Sequence, residues 1–85
     1  MSLEIRWSAT AEREARRLDP PIKHRIVTAL EGYAATGQGD IKRLTGYNPP
    51  QYRLRMGEWR VRFTVDWEAR VLYVQGVQPR GRAYR

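Results

Sequence analysis

Arginines alternate with apolar residues along two neighbouring segments, 52–56 and 59–65, in the second half of the chain. Gly57-Glu58 between these segments is a two-residue turn signal, so the pattern predicts a β-hairpin. Because successive side chains of a strand point to opposite faces, a hairpin that buries the apolar residues collects its arginines on the other face. These arginines are Arg53, Arg55, Arg60 and Arg62. Like charges held this close repel each other unless an anion joins them, so the pattern favours a phosphate-binding surface.

The basic excess is confined to the half of the chain that contains this hairpin. Of 16 basic and 9 acidic residues, the segment 43–85 holds nine and three, which gives it a net charge of +6 against +1 for the segment 1–42. Arginine outnumbers lysine 14 to 2, and the planar guanidinium suits bidentate contacts to phosphate. A nucleic-acid backbone is therefore the favoured partner. A basic face that serves only solubility is the alternative that composition leaves open.

Length and composition predict one compact domain spanning residues 1–85. The chain contains no cysteine, which excludes disulfides and thiolate zinc sites, and its single histidine, His24, cannot form a metal site alone. No apolar run approaches the ~20 residues that a membrane-spanning helix needs, and no signal-peptide pattern opens the chain. We therefore expect a cytoplasmic protein that uses no metal and no cofactor.

Two helices are predicted between a first strand and the arginine-rich half. Residues 3–7 alternate as a strand, and Ser8 after them suits the N-cap of a short helix. Asp19 is the next N-cap candidate, with Pro20 at the first helical position, where its missing N–H costs nothing. Gly37 is expected to end this second helix.

The rest of the chain is predicted to form a sheet. Residues 41–50 carry several breakers and are expected to be irregular, while the hairpin at 52–66 and a strand at 71–77, buried on both faces, follow. The strand parity of Trp59 predicts core packing, and Trp67 in a turn is expected to be exposed. The element order is β-α-α-β-β-β. The expected class is α+β: an antiparallel meander sheet with a two-helix hairpin packed on one face and the arginines on the other.

Four short motifs follow the predicted helices: Leu44-Thr45-Gly46, Tyr52-Arg53-Leu54-Arg55, Trp59-Arg60-Val61 and the tail at 80–85. In this order and spacing they resemble the RelE/ParE toxin superfamily over residues 5–85. The resemblance implies a toxin of a type II toxin–antitoxin system, with a cognate acidic antitoxin as partner. Members of the RelE branch cut messenger RNA in the ribosomal A site, and members of the ParE branch inhibit DNA gyrase.

The resemblance also implies which residues form the site. The RelE branch places basic residues on both hairpin strands, and an arginine and a tyrosine after the last strand. The matching positions, expected to be catalytic, are Arg53, Arg55, Arg60, Arg80 and Tyr84. Four further arginines expected to contact RNA are Arg43, Arg62, Arg82 and Arg85. All five catalytic positions are occupied, which favours the ribonuclease branch, although Pro79 replaces the histidine that precedes the arginine in many relatives.

A ribonuclease of this type needs a base for the ribose 2′-hydroxyl and cations for a phosphate that gains charge in the transition state. Arginine keeps its proton in proteins, so Arg53 and Arg55 are implausible bases. Tyr84 is the preferred base, or else a stacking platform for the target nucleobase; Glu58 and Asp66 are less favoured candidates. Two other functions stay open. One is a ParE-type gyrase inhibitor, which is not an enzyme, and the other is an inactive member that binds RNA or sequesters antitoxin.

Overall fold

The computed structural model describes residues 2–80, and these residues form two helices and five strands. In chain order the elements are β1 (Glu4–Trp7), α1 (Ala9–Arg16), α2 (Pro20–Thr36), β2 (Ile41–Leu44), β3 (Gln51–Met56), β4 (Trp59–Asp66) and β5 (Val71–Pro79). The strands belong to a single sheet, and the helices cover one of its faces. The predicted α+β class is confirmed.

The sheet is mixed, which corrects the predicted pure antiparallel meander. Its strand order is β1-β5-β4-β3-β2. Strands β2 to β5 pair as antiparallel neighbours, but β1 pairs with β5 in parallel, from Glu4 opposite Val71 to Trp7 opposite Val74. A parallel neighbour requires a long connection between the two strands, and the intervening helices and strands supply it. Ile5 and Trp7 of β1 can then pack against the same core as the helices.

The prediction of irregular structure for residues 41–50 is wrong for Ile41–Leu44, which forms β2. Ile41 pairs with Leu54 and Leu44 with Gln51, both on β3. Four residues with two apolar side chains are too few to show a strand period. The strand forms because β3 would otherwise present an unpaired row of N–H and C=O groups. The remainder, 45–50, contains turns and bends, as predicted.

The predicted helix boundaries agree with the structure. Ser8 is the N-cap of α1, and its Oγ accepts a hydrogen bond from the Ala11 N–H at 3.0 Å. Asp19 is the N-cap of α2 and Pro20 its first residue, although the Asp19 side chain makes no capping hydrogen bond. Gly37 ends α2 with φ 79°, a left-handed conformation that glycine adopts without steric cost.

The core lies between the sheet and the two helices. The largest side chains with less than 2% exposure among the described residues are Phe63, Ile26, Leu30, Leu54, Leu72, Val61 and Val74. Tyr33 of α2 and Tyr52 of β3 lie against Phe63, with ring centroids 5.3 and 5.6 Å from its ring. Trp59 packs against this core and Trp67 is 51% exposed, both as predicted.

Strand β5 is mostly buried on both faces, as the sequence predicts. Val71, Leu72, Val74, Gly76 and Val77 are buried, and Tyr73 and Gln75 are half-buried. Leu72 and Val74 face the helices, whereas Val71 and Gly76 belong to the opposite face.

Burial raises the pKa of Tyr33, and the neighbouring Tyr52 adds to this effect. Below the ordinary value of 10.0, the hydroxyl keeps its proton in both the folded and the unfolded chain. Above it the unfolded chain loses the proton first, so the free energy of unfolding falls as pH rises. We expect Tyr33→Phe to reduce this alkaline loss, measured by urea unfolding at a series of pH values. Tyr47→Phe, at an exposed position, is the control, and an unchanged slope in Tyr33→Phe would contradict the prediction.

Candidate functional site: the arginine face

The cationic side chains of the hairpin lie on the sheet face opposite the helices, in two rows that cross the strands. The first row consists of Arg55, Arg60 and Gln78, and the second of Lys42, Arg53, Arg62 and Gly76. Directly opposite residues of antiparallel strands share a face, with Cβ atoms about 4.5–5.5 Å apart. We call the surface formed by Lys42, Arg53, Arg55, Arg60 and Arg62 the arginine face. The alternation in the sequence predicted its four arginines correctly.

Arg55 is paired with a carboxylate at the edge of the arginine face. Its Nε donates to Asp40 Oδ2, and its backbone N–H donates to the Asp40 carbonyl at 2.9 Å. Both side chains are about half exposed, at 53% and 46%. Asp40 therefore offsets part of the repulsion between Arg55 and its neighbours, while leaving the guanidinium accessible to a ligand.

Arg60 has a different environment from the other hairpin arginines, because it is 6% exposed. Its Nη1 donates to the carbonyl oxygens of Gly57 at 3.0 Å and Trp59 at 3.1 Å. The side chain therefore folds back onto the turn between β3 and β4. Charge-assisted bonds of this kind hold the turn in one geometry. Burial of Arg60 was not predicted, because alternation specifies a face and not the conformation of a long side chain.

Arg62 lies across β5, over Gly76. A Cβ built on Gly76 would stand 2.7 Å from Arg62 Nη2, closer than a Cβ carbon comes to a neighbouring atom. The same Cβ would stand 3.3 Å from Glu14 Oε1. Only a residue without a side chain leaves room for the guanidinium here. Gly76 is thus part of the site, since its missing Cβ is what allows Arg62 to lie flat on the sheet.

Arg80 lies just beyond the arginine face and next to the hairpin turn. Its backbone N–H donates to the Glu58 carbonyl at 2.8 Å, and the residue is exposed. The structure thus brings Arg80 to the same end of the sheet as Arg60. Three other predicted site residues, Arg82, Tyr84 and Arg85, lie outside the described residues.

Arg43, which was expected to contact RNA, does not lie on the arginine face, and its neighbour Lys42 does. Arg43 pairs with Tyr52, whose ring packs on Phe63, so its strand position belongs to the helix-covered face. Lys42 pairs with Arg53 and belongs to the arginine face. Sequence reasoning missed Lys42 because residues 41–44 were predicted to be irregular, and without a strand no face can be assigned. The predicted RNA contact by Arg43 stays a prediction.

The structure separates the acidic residues that were weighed as a general base. Glu58 is exposed in the hairpin turn beside Arg80. Asp66 lies at the other end of β4, where its Oδ1 accepts the Ala69 N–H at 2.9 Å and closes the turn to β5. Asp40, which the sequence did not single out, is the carboxylate in contact with the arginine face. It could not have been selected from its spacing, since its contact with Arg55 depends on the pairing of β2 with β3.

We expect Asp40→Asn to strengthen binding of a single-stranded RNA oligonucleotide by about two- to fivefold. The substitution removes a negative charge that repels phosphate and releases Arg55 from its ion pair. The effect is modest because both side chains are half exposed and solvent screens the pair. Fluorescence anisotropy titrations at several salt concentrations measure it. Asp66→Asn, which keeps its turn hydrogen bond, is the control, and weaker binding by Asp40→Asn would mean that Asp40 holds Arg55 in its binding position.

The described part of the chain holds neither a cluster of metal-binding side chains nor a helix able to cross a membrane. Between residues 2 and 80, no three histidine, cysteine, aspartate or glutamate side chains stand close enough together to hold a metal ion. Of the two helices, neither has the length and apolarity needed to cross a membrane.

The sequence matches the ParE toxin of type II toxin–antitoxin systems, parDE, over residues 5–84. The chain belongs to this family. A relative of the toxin, "Putative toxin RelE1" of Methanocaldococcus jannaschii, is 39% identical over 46 residues, which cover 54% of the toxin and 50% of the relative. The toxin therefore aligns with about half of the length of that relative.

Solved structures of RelE proteins share the fold of the toxin. A chain of the archaeal RelE–RelB complex of Pyrococcus horikoshii OT3 has a TM-score of 0.80 at 23% identity, covering 98% of the toxin and all of that chain (100%). The isolated Escherichia coli RelE toxin has a TM-score of 0.81 at 19% identity, covering 98% and 89%. The RelBE2 complex of Mycobacterium tuberculosis gives 0.81 at 22%, covering 94% and 100%. These likenesses establish the RelE/ParE superfamily fold, and activity has to be argued from the site.

Proposed function

We propose that this toxin is a ribosome-dependent endoribonuclease that cleaves messenger RNA in the ribosomal A site. The observation that carries the proposal is the arginine face, where five cationic side chains occupy two adjoining rows of one sheet surface. Arg80 is held at the end of these rows by its hydrogen bond to the hairpin turn. Such a surface matches the backbone of a single-stranded RNA, whose phosphates follow one another at short intervals.

The proposed reaction uses the 2′-hydroxyl of the substrate as nucleophile. A base removes its proton, the 2′-oxygen bonds to the adjacent phosphorus, the bond from phosphorus to the 5′-oxygen breaks, and the leaving oxygen takes up a proton. Negative charge on the phosphate rises in the transition state, so cations already in place stabilise it more than the ground state. Arg53 and Arg80 are proposed for this role. Arg60 is proposed to hold the turn geometry and to add its positive charge to the site.

The proton transfers are assigned by resemblance. Tyr84 is proposed as the general base, or as a platform on which the target nucleobase stacks. We propose that the ribosome completes the site by aligning the message and supplying RNA groups, so that the toxin acts on translating ribosomes and not on free RNA.

An antitoxin is the proposed partner of the same surface. Structures similar to the toxin include RelE–RelB complexes from Pyrococcus horikoshii OT3 and Escherichia coli. By that likeness, and because the chain has a net charge of +7, we propose a cognate acidic antitoxin that folds on the toxin as it binds. Because the proposed target is the translating ribosome, we propose that the toxin acts in the cytoplasm. Titration with the antitoxin is expected to restore translation in proportion to the amount added.

Inhibition of DNA gyrase is the second candidate, and two observations favour it. The matching family is that of ParE toxins, and two of the predicted catalytic arginines are already engaged, Arg55 by Asp40 and Arg60 by the turn carbonyls. In this alternative the toxin binds gyrase and catalyses nothing.

Expression of the toxin alone, followed by pulse labelling, separates the two candidates. We expect incorporation of labelled amino acids to fall before incorporation of labelled thymidine, and primer extension on programmed ribosomes to find cleavage within the A-site codon. An earlier fall in DNA synthesis, together with inhibition of supercoiling by purified gyrase, would replace the ribonuclease proposal with the gyrase one.

A further inference from the structure

One edge of β5 changes neighbours halfway along the strand. The pairing with β1 ends where Trp7 lies opposite Val74. Beyond that point α1 takes the place of the missing strand: the Ser8 N–H donates to the Val74 carbonyl at 2.9 Å, and the Ser8 hydroxyl donates to the Gln75 carbonyl at 3.3 Å. Further along this edge, the N–H of Val77 has no neighbouring strand to which it can donate.

Glu14 of α1 completes this edge with its carboxylate. Its Oε1 accepts the Val77 N–H at 2.9 Å, and its Oε2 accepts the Gln78 side-chain amide at 3.1 Å. One half-buried carboxylate therefore holds both the backbone and a side chain of two consecutive residues. These residues come directly before Pro79 and Arg80, and Gln78 lies opposite Arg60 in the first row of the site.

The same carboxylate borders the space that Arg62 occupies. Arg62 Nη2 and Glu14 Oε1 lie within 2.7 and 3.3 Å of the one point above Gly76 where a Cβ would stand. Their charges are opposite and the two groups stand within about 6 Å of each other, so a Coulombic attraction acts between them although no hydrogen bond or ion pair joins them.

We propose that Glu14 is a positioning residue: from the edge of β5 it holds the Val77–Gln78 segment that leads to Arg80, and its charge keeps Arg62 over Gly76. The inference rests on the proposed function, because the side chains positioned are those proposed to contact messenger RNA. It assigns to α1 a role in the site beyond covering the core.

Glu14→Gln tests the inference with little change of shape. The glutamine oxygen can still accept the Val77 N–H, but the negative charge is gone and the new amide nitrogen cannot accept from Gln78. The matched control is Glu12→Gln on the same helix, where the carboxylate is exposed and its ion-pair partner is Arg16 at 3.8 Å. The control removes the same charge without touching β5.

The first measurement needs no activity. In ¹⁵N NMR spectra of the purified toxin, Glu14→Gln is expected to shift the Arg62 Nε–H signal and to speed hydrogen exchange of the Val77 amide by about tenfold, since the Val77 N–H then donates to a neutral amide oxygen instead of a carboxylate. Glu12→Gln is expected to change neither signal. Unchanged Arg62 and Val77 signals in Glu14→Gln overturn the inference, whatever the function of the toxin.

The second measurement is the salt dependence of binding to programmed ribosomes. Arg62→Ala should reduce the slope of log K against log salt by about one when Glu14 is present, as expected for the loss of one phosphate contact. In the Glu14→Gln background the same substitution should have little further effect, because Arg62 is already misplaced. If Glu14 only stabilised the fold, Arg62 would still contact phosphate in the Glu14→Gln background. Arg62→Ala would then reduce the slope by about one in that background as well, and this result would overturn the inference.

Gly76→Ala tests the position of Arg62 through a change in β5. Its Cβ would displace Arg62 without removing any charge, so the slope should fall as in Arg62→Ala; Gly32→Ala, where no atom lies within 4 Å of the new Cβ, is the control. Retention of the full slope in Gly76→Ala overturns the placement of Arg62. If the wild-type toxin neither binds ribosomes nor cleaves, the proposed function fails, and the NMR comparison alone decides whether Glu14 positions Arg62.

Discussion

Replacement of Arg80 by alanine is expected to slow single-turnover cleavage of messenger RNA on programmed ribosomes by ~10²–10³-fold, the typical effect of losing one transition-state hydrogen-bond donor. Arg80 is exposed, and its backbone is fixed to the Glu58 carbonyl at 2.8 Å, so its guanidinium can meet the phosphate beside Arg60. Ribosome affinity should fall as well, because the side chain also contacts phosphate in the ground state.

The salt dependence of each measurement separates the effect of Arg80 on ribosome binding from its effect on the cleavage rate. Loss of one phosphate contact should reduce the slope of log K against log salt by about one, whereas the loss of rate at saturating ribosome should persist at every salt concentration. Arg25→Ala on α2, an exposed position on the other side of the molecule, serves as the control and should change neither value. Cleavage at the full rate by Arg80→Ala would exclude this arginine from the reaction.

Tyr84→Phe is expected to lower the cleavage rate by ~10² or more, the usual contribution of a positioned acid or base. The substitution keeps the aromatic ring and removes only the hydroxyl, so ribosome binding should change little. The measurement pairs single-turnover cleavage with a binding titration for each variant. Tyr47→Phe, at an exposed tyrosine in the segment before β3, controls for loss of a hydroxyl elsewhere.

The two outcomes for Tyr84 assign different roles to the residue. A slow Tyr84→Phe variant with normal binding supports proton transfer by the hydroxyl. A variant that cleaves at the full rate would leave Tyr84 as a stacking residue at most, and the base would then have to be sought among the ribosomal groups or at Glu58.

The arginine face could be predicted because its cause is local. Alternation of Arg53 and Arg55 with apolar neighbours fixes their common face as soon as the segment becomes a strand, and Gly57 with φ 59° supplies the turn that sets the register. The same is true of Ser8 and Gly37, since caps act within a few residues of the chain.

Interactions between distant parts of the chain could not be predicted in this way. Glu14 meets Val77 across 63 residues, and Asp40 meets Arg55 only because β2 pairs with β3. The burial of Arg60 likewise depends on turn carbonyls that no periodicity reveals. These contacts decide which arginines are engaged and which remain exposed, and hence how the site can act.

The sequence by itself therefore determined the class of fold, the helix ends and the presence of a cationic sheet surface, because side-chain period and backbone capping are properties of short segments. The tertiary structure alone decided that β1 joins β5 in parallel and that α1 closes the remaining edge of β5. It also decided that Glu14 and Arg62 both lie beside Gly76. The physical reason is that a backbone N–H in the core or at a sheet edge needs an acceptor, and which acceptor lies within reach depends on the packing of the whole chain.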